Sequence, residues 1–506
     1  MGRLYQLVGF LSTLTVLYYC WNNSRGDRFR RALPLCFLVS FVFISIEAKS
    51  LSIPLLTYLV IGVIGIPAMI YGLLFRYEIL LIIAALYIPN NAILPADFGG
   101  LQQALNGTNI VLAALILGMF AGSSKDERKY SGKSPANTMV WLYMATIVVS
   151  FARGSLYFGS AYYSSDIILD LKRFLTPMVL YLIFVRRLQN RSTIRIVVGV
   201  SMIVVIMAVY LGLLQWVNLG FGTYSGMHRR LGGLNRHPNN FGAFIVYYVG
   251  LMWGQFLVNF RRFDAKLLLL PLLMSLRILI PTNSRGAWVS LPPSLGVITF
   301  FKNPILLVIL VLLAVVPFIL NPAMIPDTIR YRFEDAAKME SSETIYSSST
   351  GLASYASESR SISVRTRYLL LETGLHVWKQ NPFFGHGYGV FQYKIREYTG
   401  GELGGSAHNG WLKMLVEMGI ITLASIMLFF GYTVYCSYRV FRRERNPFLR
   451  GFALGYLGCA PAIIVANVTG QRLNHVDLLA IFWILSACIV KLDSIITQER
   501  YEEGLG

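Results

Sequence analysis

Long apolar stretches, each of about 15 to 25 residues, follow one another along most of the chain and limit its possible folds more than any other feature. An α-helix needs about 20 such residues to cross the hydrocarbon core of a bilayer. The stretches lack the alternation of polar and apolar residues that marks the strands of a membrane barrel. Charged residues make up only 14% of the chain, against about 25% in a typical soluble protein. The sequence therefore predicts an all-α polytopic membrane protein. It excludes a soluble enzyme, a secreted disulfide scaffold and a disordered chain.

The apolar stretches predict a bundle of about 12 to 15 transmembrane helices with one long loop. Pro292 and Pro293 favour a break within one of these spans, because proline removes a backbone donor and kinks a helix. The predicted spans are 5–22, 33–47, 51–75, 79–94, 109–121, 138–152, 174–186, 195–216, 241–259, 266–281, 286–301, 304–320, 411–438, 450–468 and 476–492.

The basic residues give the spans an orientation. Lysine and arginine outnumber aspartate and glutamate by 45 to 25, and much of the excess lies in every second loop between spans. By the positive-inside rule these loops are cytoplasmic, so the N-terminus is expected outside and the C-terminus inside. The charge thus serves membrane topology, and nucleic acid is not expected as a partner. The basic loops are 25–31, 76, 125–133, 186–195, 261–266, 302 and 439–450.

This topology divides the chain into four parts. Residues 1–320 form the N-terminal transmembrane helices, 321–410 a long extracytoplasmic loop, 411–492 the C-terminal transmembrane helices and 493–506 a cytoplasmic tail. The first part of the loop contains a serine-rich tract at 341–363, whose composition fits either a flexible lid or a linker without a role in turnover. A helix is predicted at 364–380 and a glycine-rich turn at 384–389.

Two arginine-containing motifs lie at the outer edge of the predicted bundle. The first, at 229–240, contains Arg229 and Arg230 just before a span. It fits either a cluster that reaches toward lipid phosphates or an anion site completed by the N-terminus of the following helix. The second, at 281–286, contains Arg285 and follows a span that carries Arg277. An arginine within a span either reaches the membrane surface or faces a cavity or partner, so both interpretations of Arg277 stay open.

A third motif, Ser-Ala-His-Asn-Gly-Trp-Leu at 406–412, stands where the long loop re-enters the membrane, and Glu417-Met418-Gly419 follows it. His408 is expected at the same level as Arg230 and Arg285. Histidine is the side chain best suited to proton transfer near neutral pH, although a lone histidine is more often structural.

Taken in order, the motifs resemble the O-antigen ligase and O-antigen polymerase superfamily. They are Arg-x-Gly-Gly…Asn-x-x-Pro-Asn at 230–239, Asn-Ser-Arg-Gly at 283–286, Asn-Pro-Phe-Phe-Gly-His-Gly-Tyr-Gly at 381–389 and His-Asn-Gly-Trp-Leu…Glu-Met-Gly at 408–419. The resemblance covers about residues 229–419. It implies a metal-independent glycosyltransferase of the helical GT-C fold, without a cofactor, in the bacterial inner membrane with its active site facing the periplasm.

The resemblance also implies substrates and residue roles. The donor would be a glycan on undecaprenyl diphosphate, and the acceptor a hydroxyl of a glycan, of lipid A-core or of a protein. Arg230 and Arg285 match the diphosphate-binding positions, and His408 the position that activates the acceptor hydroxyl. Arg365 or Arg367 matches a loop arginine of the family. Arg229, Arg277 and Asn409 are further candidate contacts.

These roles are chemically consistent with one another. Displacement of a lipid diphosphate from an anomeric carbon develops negative charge, which fixed guanidinium groups can stabilise in place of a metal. A histidine base would remove the acceptor proton, and a single displacement would invert the anomeric centre. The competing hypothesis is a polysaccharide transporter or lipid-linked glycan flippase, which predicts ionisable residues at the bilayer midplane and similar halves. The sequence does not distinguish a ligase from a polymerase or a protein glycosyltransferase.

Overall fold

A computed structural model describes residues 2–47, 61–91, 106–121, 134–163, 165–220, 230–321, 330, 362–401, 403 and 406–504. These residues form helices joined by loops and contain no β-strand. The helices before residue 230 are α1 (Gly2–Asn23), α2 (Ala32–Glu47), α3 (Ile66–Leu74), α4 (Tyr77–Tyr87), α5 (Gly107–Ala121), α6 (Pro135–Phe158), α7 (Ser165–Arg187) and α8 (Arg191–Asn218). Those after it are α9 (Pro238–Asn259), α10 (Phe263–Lys266), α11 (Leu269–Leu279), α12 (Arg285–Lys302), α13 (Pro304–Leu320), α14 (Ile362–Gln380), α15 (Phe391–Tyr398), α16 (Gly410–Arg443), α17 (Pro447–Tyr456), α18 (Cys459–Val468) and α19 (Val476–Glu502).

The helices are those of a polytopic membrane protein. Within the described residues, seven candidate spans are long and apolar enough to cross a bilayer: α1, α6, α8, α9, α16, α17 together with α18, and α19. Five shorter apolar helices accompany them. Every predicted span coincides at least in part with a helix, although 51–60 and 92–94 lie outside the described residues. The predicted all-α membrane class is confirmed.

The predicted break at Pro292 and Pro293 is wrong. Helix α12 runs without interruption from Arg285 to Lys302 through Pro292 and Pro293. The two prolines each remove one hydrogen bond of the helix. Helix α12 packs along α9 and α18. Membrane helices tolerate proline where neighbouring helices can satisfy the backbone groups that it leaves without a partner.

The core of the bundle is formed by α8, α9 and α19, whose apolar side chains are almost entirely buried. Helix α13 lies at the edge, packs against α12 and exposes most of its apolar surface, as a helix in contact with lipid would. Residues 493–502, predicted as part of a tail, continue α19 to Glu502.

Loops predicted to be cytoplasmic meet at one end of the bundle. Arg195 forms an ion pair with Asp27 at 3.2 Å, and Arg191 forms one with Glu444 at 3.0 Å. The Asn22 side-chain amide donates a hydrogen bond to Asp264 at 2.8 Å. These contacts join four predicted cytoplasmic loops, while the three motifs of the predicted outer side lie at the opposite end.

The assignment of the motif-bearing end to the outside is tested by site-specific labelling. A tag inserted near Ser349, in the long loop, should be reached by a membrane-impermeant reagent in intact cells. A tag near Arg443 should react only after the membrane is opened, because the basic loops hold that end in the cytoplasm. Labelling of both tags from the same side would contradict the orientation.

The long loop contains two of the helices. Helix α14 confirms the helix predicted at 364–380, and α15 follows the glycine-rich turn. A small apolar cluster packs α14 and α15 against the start of α16. It consists of Leu370, Val377, Phe391 and Ile395 from the loop helices and of Leu412 and Val416 from α16. The serine-rich tract at 341–361 lies outside the described residues.

Candidate active site

The turn between α11 and α12 is held by Arg230. Its Nε donates to the carbonyl of Thr282 at 3.0 Å, and its Nη2 donates to the carbonyl of Asn283 at 3.1 Å and to Asn239 Oδ1 at 2.6 Å. Asn283 adopts the left-handed conformation with φ 52°, which asparagine tolerates better than most residues. Arg230 is half-buried. It therefore orients the Asn-Ser-Arg-Gly motif, a positioning role that the sequence alone did not indicate.

Arg285 stands at the first residue of α12, where the positive end of the helix dipole lies. The next residue, Gly286, packs tightly against the loop between α18 and α19. A β-carbon there would lie 2.0 Å from Thr469 Oγ1, so only glycine allows the two segments to approach. The Asn-Ser-Arg-Gly motif thus combines a left-handed turn, a helix start and a close contact.

His408 lies in the turn that precedes α16. Its backbone has φ 48°, in the left-handed region. When the Gln471 side-chain amide is assigned in the orientation that satisfies its neighbours, its oxygen accepts hydrogen bonds from the N–H groups of Ala407 at 2.6 Å and His408 at 3.2 Å. The N–H of Gly410 donates to the carbonyl of Gly470 at 2.8 Å. The loop between α18 and α19 therefore holds the uncommon backbone of His408 in place, while the histidine side chain is exposed.

Asn409 caps helix α16. Its Oδ1 accepts hydrogen bonds from the N–H groups of Trp411 and Leu412, at 3.0 and 3.1 Å. These two donors have no partner within the helix itself. Capping of this kind fixes the point at which α16 begins, and with it the position of His408 one residue earlier.

A matched control variant can show whether Asn409 only stabilises the helix or also supports the activity. Asn409→Ala should lower the free energy of unfolding by about 1 kcal/mol. Asn446 caps α17 in the same way, at 3.0 and 3.1 Å, but at the opposite end of the bundle. Thermal unfolding and activity of both alanine variants are the measurements. Both variants should lose similar stability, and only Asn409→Ala should also slow the reaction, by less than the loss of His408. Equal activity in the two would show that the Asn409 cap is purely structural.

The long loop docks onto a kink in α16. Gly419 has φ 78° inside this helix, and a β-carbon there would meet the carbonyl of Phe383 at 2.2 Å. The N–H of Ile420 donates to Pro382 O, and the N–H of Gly387 donates to Glu417 O, both at 2.8 Å. The buried Glu417 carboxylate accepts from the N–H of Phe391 at 3.2 Å. The motifs at 381–389 and 417–419 thus pack against each other and hold the loop on α16.

Arg367 connects His408 electrostatically to two other arginines. Burial, then Arg285 and Arg472, lower the pKa of Arg367 below its usual value. Partial burial of the ring, then Arg367, lower the pKa of His408 below its usual value, although enough of the residue stays at the surface for it to be exposed. The structure therefore brings Arg285 and His408 into the same electrostatic environment through Arg367. A histidine with a lowered pKa is neutral near neutral pH and can accept a proton.

Arg472, in the loop between α18 and α19, was not among the predicted site residues. It is 3% exposed, and its Nη1 donates to the carbonyl of Ala466. Arg472 also lowers the pKa of His237, after burial, Arg230 and His475, so its charge acts on residues at both the Arg230 and the Arg367 sides of the site. The positive-inside rule could have identified it, because it is an arginine in a loop predicted to be outside.

A second polar network borders the arginines. Asp170 of α7 accepts hydrogen bonds from Tyr388 at 2.7 Å and from Asn474 at 2.8 Å. Asp477 accepts one from Asn235 at 2.5 Å. Asp170 thus ties the long loop to the α18–α19 loop, and the Asp477 bond ties α19 to the segment that carries Arg230.

The other predicted contacts have different outcomes. The Arg277 guanidinium carbon lies 4.2 Å from the centre of the Trp216 ring, a cation–π contact at the C-terminal end of α8. Arg229 lies outside the described residues, and Arg365 belongs to α14 without a described side chain. Arg367 has a described side chain, which the structure brings to the site. Among the described residues no group of histidine, cysteine, aspartate and glutamate side chains could hold a metal ion, and the metal-independent mechanism stays a prediction.

A family model described as O-antigen ligase matches residues 270–427. The matched segment runs from α11 into α16 and contains Arg285, Arg367 and His408, whereas Arg230 and Arg472 lie outside it. No curated protein matches the chain at a significant level. Residues 270–427 are therefore similar to an O-antigen ligase domain, and over this segment the predicted resemblance to the O-antigen ligase and polymerase superfamily is confirmed.

Proposed function

We propose that the protein is a membrane glycosyltransferase that transfers a glycan from undecaprenyl diphosphate to an acceptor hydroxyl at the outer face of the bacterial inner membrane. The acceptor would be a glycan, lipid A-core or a protein. The observation that carries the proposal is the electrostatic influence of Arg285 on Arg367 and of Arg367 on His408, all three within the segment matched as O-antigen ligase.

In this proposal the arginines bind the donor diphosphate and stabilise the charge that develops on it. The bond between the anomeric carbon and the phosphate oxygen breaks, and undecaprenyl diphosphate leaves with the bonding electrons. Guanidinium groups suit this task because they donate two parallel hydrogen bonds to phosphate oxygens.

His408 would act as the general base. Its imidazole accepts the proton of the acceptor hydroxyl while the hydroxyl oxygen bonds to the anomeric carbon from the side opposite the leaving group. A single displacement inverts the configuration of that carbon. The lowered pKa of His408 keeps the ring neutral, and its exposure lets a bulky acceptor reach it.

The decisive experiment uses the purified full-length protein in lipid nanodiscs with a lipid-linked oligosaccharide donor. Acceptors of the three classes are supplied in turn, and mass spectrometry follows the product and the released undecaprenyl diphosphate. Transfer with inverted anomeric configuration, insensitive to EDTA, is the expected result. Movement of intact donor across proteoliposome membranes without bond cleavage would instead identify a transporter and refute the proposal.

A further inference from the structure

The loop between α18 and α19 inserts an arginine between two segments of the site. A β-carbon on Gly286 would lie 3.8 Å from Arg472 Nη2, so the Arg472 guanidinium reaches the first turn of α12. The N–H of Arg472 donates to Asn467 Oδ1 at 2.9 Å, which fixes the backbone of the loop. The preceding residue, Gln471, holds the turn of His408. Arg472 therefore lies between the start of α12 and the start of α16.

The guanidinium of Arg472 is incompletely satisfied. Its Nη1 donates to the carbonyl of Ala466, near the end of α18, but its Nε has no hydrogen-bond partner among the described residues. Neither Arg472 nor Arg367 forms an ion pair with a described carboxylate. A buried cation without a counter-charge is costly. The bond to Ala466 accounts for Nη1, whereas Nε is buried without a partner.

The N-terminus of α12, beside Arg472, has features that favour an anion. Ser284, at the N-cap of α12, makes no side-chain capping hydrogen bond, and the first turn contains no acidic residue. The 18-residue helix directs its positive end toward this point. The N–H groups at a helix N-terminus together with a guanidinium are features of phosphate-binding sites.

We propose that Arg472 is a further ligand of the donor diphosphate, which it binds in a pocket formed with Arg367 and the N-terminus of α12. This inference rests on the proposed function, because it assigns a contact to that function's donor. It adds a residue outside the segment matched as O-antigen ligase. Arg472 binds phosphate oxygens and takes no part in proton transfer.

The test measures binding rather than catalysis. Purified protein in nanodiscs is titrated with inorganic pyrophosphate and with farnesyl diphosphate by isothermal calorimetry. Arg472→Gln should weaken both affinities about ten- to hundredfold, the effect of losing hydrogen bonds to a charged group. The affinities of Arg472→Lys should lie between those of the wild type and those of Arg472→Gln, because lysine keeps the charge but cannot donate two parallel hydrogen bonds. Arg396→Gln, which removes an exposed arginine of α15, should bind as the wild type does.

Thermal unfolding of the ligand-free variants separates this role from a structural one. Removal of an anion ligand from among like charges should leave the melting temperature unchanged or raise it. Removal of a mere cap for α18 should lower it and leave pyrophosphate affinity unchanged. That second pattern, or the absence of saturable binding to the wild type, would overturn the inference.

The two proposals can fail separately. Pyrophosphate binding through Arg472 in a protein that transfers no glycan would refute the proposed function and leave the inference standing. Glycan transfer by Arg472→Gln with an unchanged donor KM would refute the inference and leave the function standing.

Discussion

Replacement of His408 with alanine is expected to slow glycan transfer about 10²- to 10⁴-fold, the usual effect of losing a positioned acid–base group. The affinity for pyrophosphate should stay as in the wild type, because Arg285, Arg367 and Arg472 hold the anion. The measurement is single-turnover transfer alongside calorimetric binding. A parallel loss of binding and transfer would indicate that His408 supports the site structurally.

The pH dependence gives a sharper test of the same role. Burial and Arg367 lower the pKa of His408, so the neutral, active form persists to lower pH than for an ordinary histidine, whose pKa is about 6.5. Transfer should rise with pH through this lowered pKa and then level off. Arg367→Gln removes the smaller of the two causes and should move the midpoint to higher pH. The midpoint is the readout here, because the maximal rate also reports the loss of a phosphate ligand.

His408→Gln distinguishes a base from a hydrogen-bond donor. Glutamine keeps hydrogen-bonding capacity but has no comparable basicity. If His408 is the base, this variant should be nearly as slow as His408→Ala between pH 5 and 9 and should lack the acidic limb. Near-wild-type rates with an unchanged profile would assign proton removal to solvent or to another group.

The sequence predicted those features that follow from residue type and order. Apolar stretches of membrane length predicted the helices, and the alternation of basic loops anticipated which loops meet at each end. The helix at 364–380 followed from its composition and is present as α14. Arg285 and His408 lie more than a hundred residues apart in the chain, and the predicted topology placed them at the same level of the bundle, whereas their roles came from the family resemblance.

Other features depend on contacts that sequence patterns do not encode. Pro292 and Pro293 leave α12 intact because neighbouring helices hold it. The left-handed backbone of His408 depends on Gln471, more than sixty residues later. Arg472 belongs to a short loop without a recognisable motif, and only its position against the positive-inside rule marks it.

The two arginines assigned to the diphosphate should respond differently to mutation, although alanine at either position is expected to abolish or nearly abolish transfer without preventing expression. Arg285 stands at the start of α12 and would act directly on phosphate oxygens. Arg285→Lys should therefore restore little activity, because an ammonium group cannot reproduce the bidentate fork. Its stability should resemble that of the wild type.

Arg230 acts on the same site through the turn. Its guanidinium donates to Thr282 O, Asn283 O and Asn239 Oδ1, and hydrogen bonds from charged groups contribute about 1.5 to 3 kcal/mol each in such settings. Lysine cannot make all three, so Arg230→Lys should lose both activity and thermal stability. Asn239→Ala, which removes one of the three bonds, should show a smaller loss of both. Full activity in Arg230→Lys and Arg285→Lys would show that the site needs only positive charge at these positions. An unchanged melting temperature in Arg230→Lys would show that the turn does not depend on the guanidinium hydrogen bonds.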